Sequence, residues 1–290
     1  MSTDRNLIRR VGFAAVAIPL TLIIVWYGGV PLVVLVTLAG VLGARELFDL
    51  ASRVGIRALR VFGLVSAAAL APLVYGTLVS RDLHGALARS WPYAGALWLL
   101  LLLTSVLMAR APADRPMSAT GVTLLGVGYT GALPAFLLAI RHTEYPVRSW
   151  TGAWLVFFPL VVTWVCDTAA MFAGRAFGGP KLAPRVSPGK TWSGSTAGLI
   201  GGILIAPVFG SLIFPRVGLD IPLWQLGAIA ASLSVIGQVG DLVESLFKRE
   251  AGVKDSSHLI PGHGGVLDRF DSLYFVIPAA AVLYRVFGVI

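Results

Sequence analysis

DLVESLFKREAGVKDSSHLIPGHGGVLDRFD, residues 241–271, concentrates polar side chains in a chain that is otherwise strongly apolar. It holds six acidic residues, four Lys or Arg and two His, whereas charged residues make up 13% of the whole chain. Apolar segments flank it on both sides, so it forms either a large solvated loop or a reaction site. The spacing of its charges favours a reaction site.

The rest of the composition is typical of a polytopic membrane protein. The chain has 290 residues, of which 57% are hydrophobic, and its mean hydropathy is +0.83. A helix needs about 20 apolar residues to cross the bilayer core, so the apolar blocks predict an all-α integral membrane protein with about nine spans. The predicted spans are residues 11–28, 30–49, 59–79, 92–109, 118–140, 151–173, 194–213, 221–246 and 272–289.

The basic residues indicate the orientation of these spans. With nine spans, 17 of the 23 Lys and Arg fall on the side of the N-terminus, which predicts that this side is cytoplasmic. Residues 241–271 then also face the cytoplasm, where nucleotides are available. His84 and His142 fall in exported loops and are predicted to be solvated. The net charge of +9 reflects this topology and does not indicate nucleic-acid binding, since no basic face is interleaved with aromatic residues.

The two halves of the chain differ in character. Residues 1–150 are predicted to form a scaffold of transmembrane helices, and residues 151–290 are predicted to form the catalytic region. Within the scaffold, Arg45 and Glu46 are ionisable at membrane depth near the end of the second span. That placement is compatible with a functional role and equally with a local ion pair at a helix end.

The second half contains a carboxylate inside an apolar run, Asp167 in VVTWVCDTAAMFAGR. A carboxylate in lipid without a partner is strongly unfavourable, so we expect Asp167 to face a polar cavity or a cation. The loop 174–195 is rich in Gly, Pro and cations, and it is equally compatible with polyphosphate binding and with a basic connector. Gly194, Gly198 and Gly202 repeat every four residues and predict a helix-packing stripe.

The charged residues of 241–271 are of the types that enzymes use for phosphoryl or nucleotidyl transfer. Asp241 and Asp268 lie near lysines and a glycine-rich turn, and hard carboxylate oxygens suit Mg²⁺, which commonly bridges substrate phosphates. The metal and the cations would neutralise charge that develops during phosphoryl or nucleotidyl transfer. A zinc site fits less well, because the histidines lack a Cys partner or an HExxH helix. The alternative is a transporter or channel whose intramembrane charges line a pathway.

The run from Ser245 to Asp271 closely resembles the signature of the phosphatidate cytidylyltransferase family, also called CDP-diacylglycerol synthases. That signature reads S-x-x-K-R-x4-K-D followed by H-G-G-x-x-D-R-x-D. Upstream, DTAAMFAGR from Asp167 and SPGKTW from Ser187 resemble the family's preceding motifs. Two positions depart from the pattern: Met171 stands where Tyr is frequent, and Ser193 stands where Glu is common.

The resemblance implies an enzyme that converts CTP and phosphatidate to CDP-diacylglycerol and pyrophosphate with a divalent cation, Mg²⁺, and a second cation in addition. By analogy, Asp241, Asp268 and Asp167 would form the metal site. The expected catalytic residues are Asp241, Lys248, Arg249, Asp268 and Arg269. The expected substrate-binding residues are Ser187, Lys190, Lys254, His263, Gly264 and Gly265.

The resemblance also implies a multi-pass protein of the inner (cytoplasmic) membrane, a cytoplasmic active site and a homodimer. An alternative within enzymes is transfer from CTP to another lipid phosphate, such as an isoprenoid ether lipid, since the sequence does not determine the lipid tails. The transporter alternative is less favoured, because transporters commonly contain repeated halves and no internal repeat is visible in this chain.

Overall fold

The computed structural model describes residues 2–260 and 264–290, and it describes side chains from residue 15 onward. The predicted substrate-binding residue His263 therefore lies outside the described residues. The described chain is predominantly helical, which confirms the all-α prediction. One small antiparallel sheet of two strands interrupts the helices.

The elements follow one another in a simple order. The first part of the chain forms α1 (Ser2–Tyr27), α2 (Gly29–Arg53), α3 (Arg60–Val79), α4 (Arg81–Ala109), α5 (Pro116–Leu125), a π-helical segment (Gly126–Ala132) and α6 (Leu133–His142). The second part forms α7 (Trp150–Phe177), β1 (Lys181–Ala183), β2 (Ser187–Thr191), α8 (Trp192–Ile203), α9 (Ile205–Val208), α10 (Leu223–Glu250), α11 (Leu267–Phe270) and α12 (Leu273–Val286). Short 3₁₀ turns cover Pro112–Asp114 and Phe214–Val217, and a second π-helical segment covers Phe209–Ile213.

Seven helical segments of the described chain are long and apolar enough to cross a membrane. They are Gly29–Arg53, Arg60–Val79, Arg81–Ala109, Pro116–His142, Trp150–Phe177, Trp192–Val217 and Leu223–Glu250. These correspond to the second through eighth predicted spans, so the protein is a multi-pass membrane protein. The count of nine is not confirmed, because α12 has only 14 residues and the described apolar part of α1 is the short stretch Ala15–Tyr27.

The chain folds into two compact units that interleave in sequence. The first comprises Met1–Leu20, Gly29–Ala139 and Glu250–Arg269, and the second comprises Thr21–Gly28, Ile140–Arg249 and Phe270–Ile290. Residues 241–271 are therefore divided between the units. Residues 250–269 belong to the first unit, and residues 241–249 and 270–271 belong to the second. The functional division at residue 150 stays a prediction.

In the first unit, the π-helical segment packs closely against α2. Thr130 donates its hydroxyl hydrogen bond to the carbonyl oxygens of Gly126 and Gly40, at 2.8 and 3.0 Å. A Cβ on Gly126 would lie 2.3 Å from the ring of Phe48, so only glycine permits this approach. The contact fixes the C-terminal half of α2, which carries Glu46.

In the second unit, α7 and α8 pack along the predicted glycine stripe. A Cβ on Gly194 would lie 2.6 Å from the carbonyl oxygen of Ala170, and one on Gly198 would lie 2.9 Å from that of Cys166. A Cβ on Gly202 would lie 2.0 Å from the hydroxyl of Ser234 on α10. The prediction of a packing stripe is confirmed, and the glycines bring three helices together.

The prediction that His142 is solvated is wrong. His142 ends α6 and is buried, and its imidazole lies so close to Gly28 that a Cβ there would be 2.6 Å away. The neighbouring Arg141 is fully buried and donates to the carbonyl oxygens of Val25, Trp26 and Pro146. These two side chains close the end of α1, so they are structural. His84 is exposed, as predicted.

Candidate active site

The second unit contains a cavity of about 490 Å³ where α7 ends, the β-hairpin lies and α8 begins. The carboxylates of Asp167 and Asp241 line it together with the cationic side chains of Arg175 and Lys190. The remaining lining residues are mostly small or polar: Ala170, Met171, Gly174, Leu182, Gly189, Thr191, Gly194, Ser195 and Gln238. Asp167 thus faces a polar cavity and a cation, which confirms the expectation for a carboxylate in an apolar helix.

Lys190 and Asp241 form the central ion pair of this cavity. Lys190 Nζ lies 2.6 Å from Asp241 Oδ2, and roughly a quarter of each side chain is exposed. Asp167 also interacts electrostatically with Lys190, Asp241 and Asp271. Three carboxylates therefore share the field of Lys190, while Arg175 lines the same cavity and Lys248 also acts on Asp271.

Asp271 lies just before α12 and adds to this negative cluster. Burial raises the pKa of Asp271 above its ordinary value, repulsion from Asp241 raises it further, and the Ser272 backbone N–H and the nearby lysines oppose the change. Its Oδ1 accepts a hydrogen bond from the Ser272 backbone N–H at 2.6 Å. Asp271 is part of the matched signature, but no role was predicted for it.

The β-hairpin positions Lys190. β1 and β2 pair antiparallel, with Lys181 opposite Thr191 and Ala183 opposite Ser187. The hairpin ends where the Thr191 hydroxyl accepts from the backbone N–H of Gly194 at 3.2 Å and caps α8. Lys190 is consequently held between a strand and a helix start. The prediction of a loop over residues 174–195 overlooks both strands, because they have three and five residues and no alternating apolar pattern.

One face of α10 brings further groups to the cavity. Gln238, Asp241 and Ser245 recur at helical spacing, and the Ser245 hydroxyl donates to Asp241 Oδ1 at 3.3 Å. The Gln238 amide donates to the Ser195 carbonyl oxygen at 3.3 Å, while the Ser195 hydroxyl donates back to the Gln238 side chain. These contacts join α10 to α8 at the cavity wall. The spacing of three residues from Asp241 could have indicated Gln238 from sequence alone.

Lys248 and Arg249 follow on the last turn of α10. Lys248 is buried, and its Nζ lies 3.2 Å from Glu244 Oε1. The Arg249 Nε donates to the carbonyl oxygen of Val186 at 3.2 Å, which ties α10 to the turn of the hairpin. Ser187, the predicted substrate-binding residue, begins β2 next to that contact. The phosphate-binding roles of Lys248, Arg249 and Ser187 stay predictions.

The first unit contains a second pair of carboxylates, Glu46 and Asp268, and both are buried. Asp268 Oδ2 accepts from the backbone N–H groups of Ser256 and Gly265 at 2.9 and 2.8 Å, and from the Ser256 hydroxyl at 2.8 Å. The same hydroxyl lies 2.9 Å from Glu46 Oε2. Arg45 is exposed whereas Glu46 is buried among these distant groups, so a local ion pair does not explain Glu46.

Gly264 and Gly265, which were predicted to bind substrate, pack against Glu46 and Asp268. Gly264 adopts φ +80°, and a Cβ there would lie 2.7 Å from Asp268 Oδ2. A Cβ on Gly265 would lie 2.1 Å from the Ser256 hydroxyl and 2.3 Å from Glu46 Oε2. Glycine is therefore required so that the carboxylates can approach the backbone. A direct role of Gly264 and Gly265 toward phosphate stays a prediction.

The predicted site residues thus separate into two groups. Asp167, Lys190 and Asp241 lie together in the cavity of the second unit, whereas Asp268 belongs to the buried pair of the first. Lys254 and Arg269 are exposed in the first unit. The predictions from sequence did not include Gln238 and Ser195 in the cavity, nor the contacts of Ser256 and Ser257 with Glu46.

The cavity carboxylates suit a magnesium ion. Among residues 2–260 and 264–290, no cluster of three or more His, Cys, Asp or Glu is arranged to enclose a metal ion. Mg²⁺ commonly binds through only one or two carboxylates and completes its shell with waters and substrate phosphates. The carboxylate oxygens of Asp167 and Asp241, which line one cavity, therefore fit this ion.

A family model described as the cytidylyltransferase family matches residues 8–287 of the chain. The chain belongs to this family. Over 289 residues it is 36% identical to a phosphatidate cytidylyltransferase of Brucella suis, and the alignment covers 98% of this chain and 94% of that protein. A Bacillus subtilis protein of the same name is 38% identical over 190 residues, 66% of each chain. A third, from Haemophilus influenzae, is 43% identical over 150 residues, 52% of each chain.

Membership in the cytidylyltransferase family makes this protein a nucleotidyltransferase, and its spans place that chemistry in a membrane. The family match extends through the first unit as well as the second, so it covers the N-terminal half, where the sequence offers only the pattern of spans. A cavity with cations and carboxylates at helix ends is the kind of site that such an enzyme needs.

Proposed function

We propose that this protein transfers the cytidylyl group of CTP to phosphatidate and releases pyrophosphate. The observation that carries the proposal is the ion pair of Lys190 and Asp241 beside Asp167, in a polar cavity at the ends of apolar helices. The three relatives described above carry the name phosphatidate cytidylyltransferase, which supports CTP and phosphatidate as substrates.

In the proposed reaction, a phosphate oxygen of phosphatidate attacks the α-phosphorus of CTP. One new P–O bond forms, the bond from the α-phosphorus to the oxygen that bridges to the β-phosphorus breaks, and pyrophosphate takes the electron pair. The attacking oxygen is already anionic, so the reaction requires no strong general base. Most of the catalysis is then positioning and charge neutralisation.

The cavity side chains have distinct proposed roles. Lys190 and Arg175 contact phosphate oxygens, and Lys190 keeps Asp241 in position through their ion pair. Asp241 and Asp167 would hold Mg²⁺, which when bound supplies positive charge to the phosphates of CTP. The contribution of Asp268 to the metal site and the presence of a second cation stay predictions.

We also propose that the protein lies in the inner (cytoplasmic) membrane with its cavity open to the cytoplasm. The excess of Lys and Arg on the predicted cytoplasmic side supports this orientation, and CTP is available there. The headgroup of phosphatidate would meet the cavity at the membrane surface while its tails stay in lipid. The homodimer stays a prediction that the mass of the protein in nanodiscs can check.

The test uses the purified protein in nanodiscs with CTP labelled at the α-phosphorus. We expect labelled CDP-diacylglycerol and an equal amount of pyrophosphate when phosphatidate and Mg²⁺ are present, and neither product when EDTA replaces Mg²⁺. A panel of other lipid phosphates, including an isoprenoid ether lipid phosphate, runs in parallel. Turnover of one of those lipids without turnover of phosphatidate would reject the proposed acceptor.

A further inference from the structure

Glu46 makes an unusual set of contacts for a residue in a membrane-spanning helix. It is 3% exposed, and its carboxylate accepts hydrogen bonds from three groups of one distant segment of the chain and lies close to the hydroxyl of a fourth. Oε1 accepts from the Val266 backbone N–H at 3.0 Å and from the Ser257 hydroxyl at 2.7 Å. Oε2 accepts from the Leu267 backbone N–H at 2.8 Å and lies 2.9 Å from the Ser256 hydroxyl.

The segment that Glu46 contacts has little regular structure of its own. Between Glu250 and Leu267, the described residues form no helix or named strand, and they contain one isolated bridge, from Ile260 to Gly264. Asp268 secures the same segment through Ser256 and Gly265. The Ser256 hydroxyl contacts both carboxylates, so Glu46 and Asp268 act on one hydrogen-bond network.

This segment carries residues of the family signature. Lys254 and Asp255 are exposed, and they come directly before the two serines that Glu46 and Asp268 hold. A short segment without helix or strand keeps its shape only through such contacts. Loss of the Glu46 carboxylate would therefore release the chain at two places, residues 256–257 and residues 266–267.

We propose that Glu46 is a positioning residue that holds residues 254–257 and 264–267 in the conformation needed for use of CTP. The inference rests on the proposed function, and it assigns a role to a helix of the half that was predicted to be scaffold. Glu46 touches no reacting atom in this proposal. It acts through the backbone of Val266 and Leu267 and through Ser256 and Ser257.

The arrangement requires a carboxylate and excludes an amide. Each oxygen of Glu46 accepts from one backbone N–H, so Glu46→Gln places its NH₂ group against a backbone N–H in either orientation of the amide. That change sets donor against donor at a buried position, which is unfavourable. Glu46→Asp keeps both acceptor oxygens but shortens the side chain, so it should restore part of the activity.

The experiment compares the full-length protein and its variants in nanodiscs. We expect Glu46→Gln to lower kcat/KM for CTP on the order of 10²-fold, because displacement of a positioning segment by about 1 Å can have that effect. The KM for CTP should rise, because the released segment carries Lys254, which is predicted to bind substrate. Trypsin should cut after Lys254 faster than in the unaltered protein. Asp49→Asn is the matched control, because Asp49 lies one turn later on α2 and pairs with Arg60 at the surface.

Ser257→Ala provides a milder variant in case Glu46→Gln does not fold. It removes the Ser257 hydroxyl as a donor and leaves the charge of Glu46 in place, so we expect the same changes with a smaller amplitude. Unchanged trypsin cleavage after Lys254 in both variants would overturn the inference. So would a loss of activity that matches the loss of folded protein at a constant KM for CTP.

The two proposals can fail separately. If the unaltered protein makes no CDP-diacylglycerol, the proposed function fails, and the rate of trypsin cleavage still decides whether Glu46 holds the segment. If the unaltered protein is active while Glu46→Gln has normal kinetics and normal cleavage, only the positioning role fails.

Discussion

The protein contains two pairs of acidic side chains that differ in their surroundings. Asp167 and Asp241 line an open polar cavity beside Lys190, and the side chain of Asp241 is 27% exposed. Glu46 and Asp268 are 3% and 7% exposed, and backbone N–H groups and serine hydroxyls surround them. The first pair has oxygen atoms that a ligand can reach, whereas in the second both oxygens of Glu46 and Oδ2 of Asp268 accept hydrogen bonds that hold the chain.

The two pairs therefore differ in burial and in hydrogen-bond partners, which the tertiary structure sets. Burial of a charged oxygen is tolerated only when donors replace the lost water, and backbone N–H groups supply these donors at Glu46 and Asp268. Asp167 and Asp241 lie in a cavity instead, so a bound cation or substrate can interact with their oxygens. Each of the following variants tests one side of the comparison.

The largest effect is expected for Asp241→Asn. The substitution removes a charge from the cavity and breaks the ion pair with Lys190, so we expect kcat to fall by about 10³-fold or more. Initial rates of pyrophosphate release at saturating CTP and Mg²⁺ measure it. Asp220→Asn, at an exposed position before α10, is the control and should keep normal activity. Normal turnover in Asp241→Asn would show that the Asp241 carboxylate is not needed for the reaction and would argue against this cavity as the active site.

A smaller loss is expected for Lys190→Met, on the order of 10²-fold in kcat/KM for CTP, because one phosphate-neutralising charge disappears and Asp241 loses its partner. Initial rates at a series of CTP concentrations measure the change. Lys181→Met is the matched control on the other strand of the hairpin. If both variants lost activity equally, general loss of positive charge would explain the result better than the ion pair seen in the cavity.

The smallest effect among these is expected for Gly265→Ala, at the buried pair. The added methyl group would meet the Ser256 hydroxyl and Glu46 Oε2 at 2.1 and 2.3 Å, so the segment must shift. We expect a loss of about tenfold in kcat/KM for CTP and faster trypsin cleavage after Lys254. Gly227→Ala, where a Cβ meets no atom within 4 Å, is the control. Unaltered cleavage in Gly265→Ala would mean that the close packing at Glu46 does not hold the segment.

Much of the fold follows from the amino-acid sequence alone. Seven predicted spans agree with the structure, because a run of about 20 apolar residues has few alternatives to a membrane helix. The glycine stripe from Gly194 to Gly202 was also predictable, since a four-residue repeat of small side chains lies on one helix face. Asp167 could be placed in a polar cavity because an isolated charge in an apolar helix requires a partner.

Only the tertiary structure decided which polar groups meet. No local pattern links Glu46 to Val266, since 220 residues separate them and the contact depends on how α2 packs in its unit. The hairpin that holds Lys190 is too short for a periodic signal, and burial of His142 depends on the neighbouring end of α1. The spacing of apolar residues shows which segments are more stable in a membrane than in water, and it is a local property of the sequence. Hydrogen bonds between distant segments form only after the helices have packed, so no local pattern predicts them.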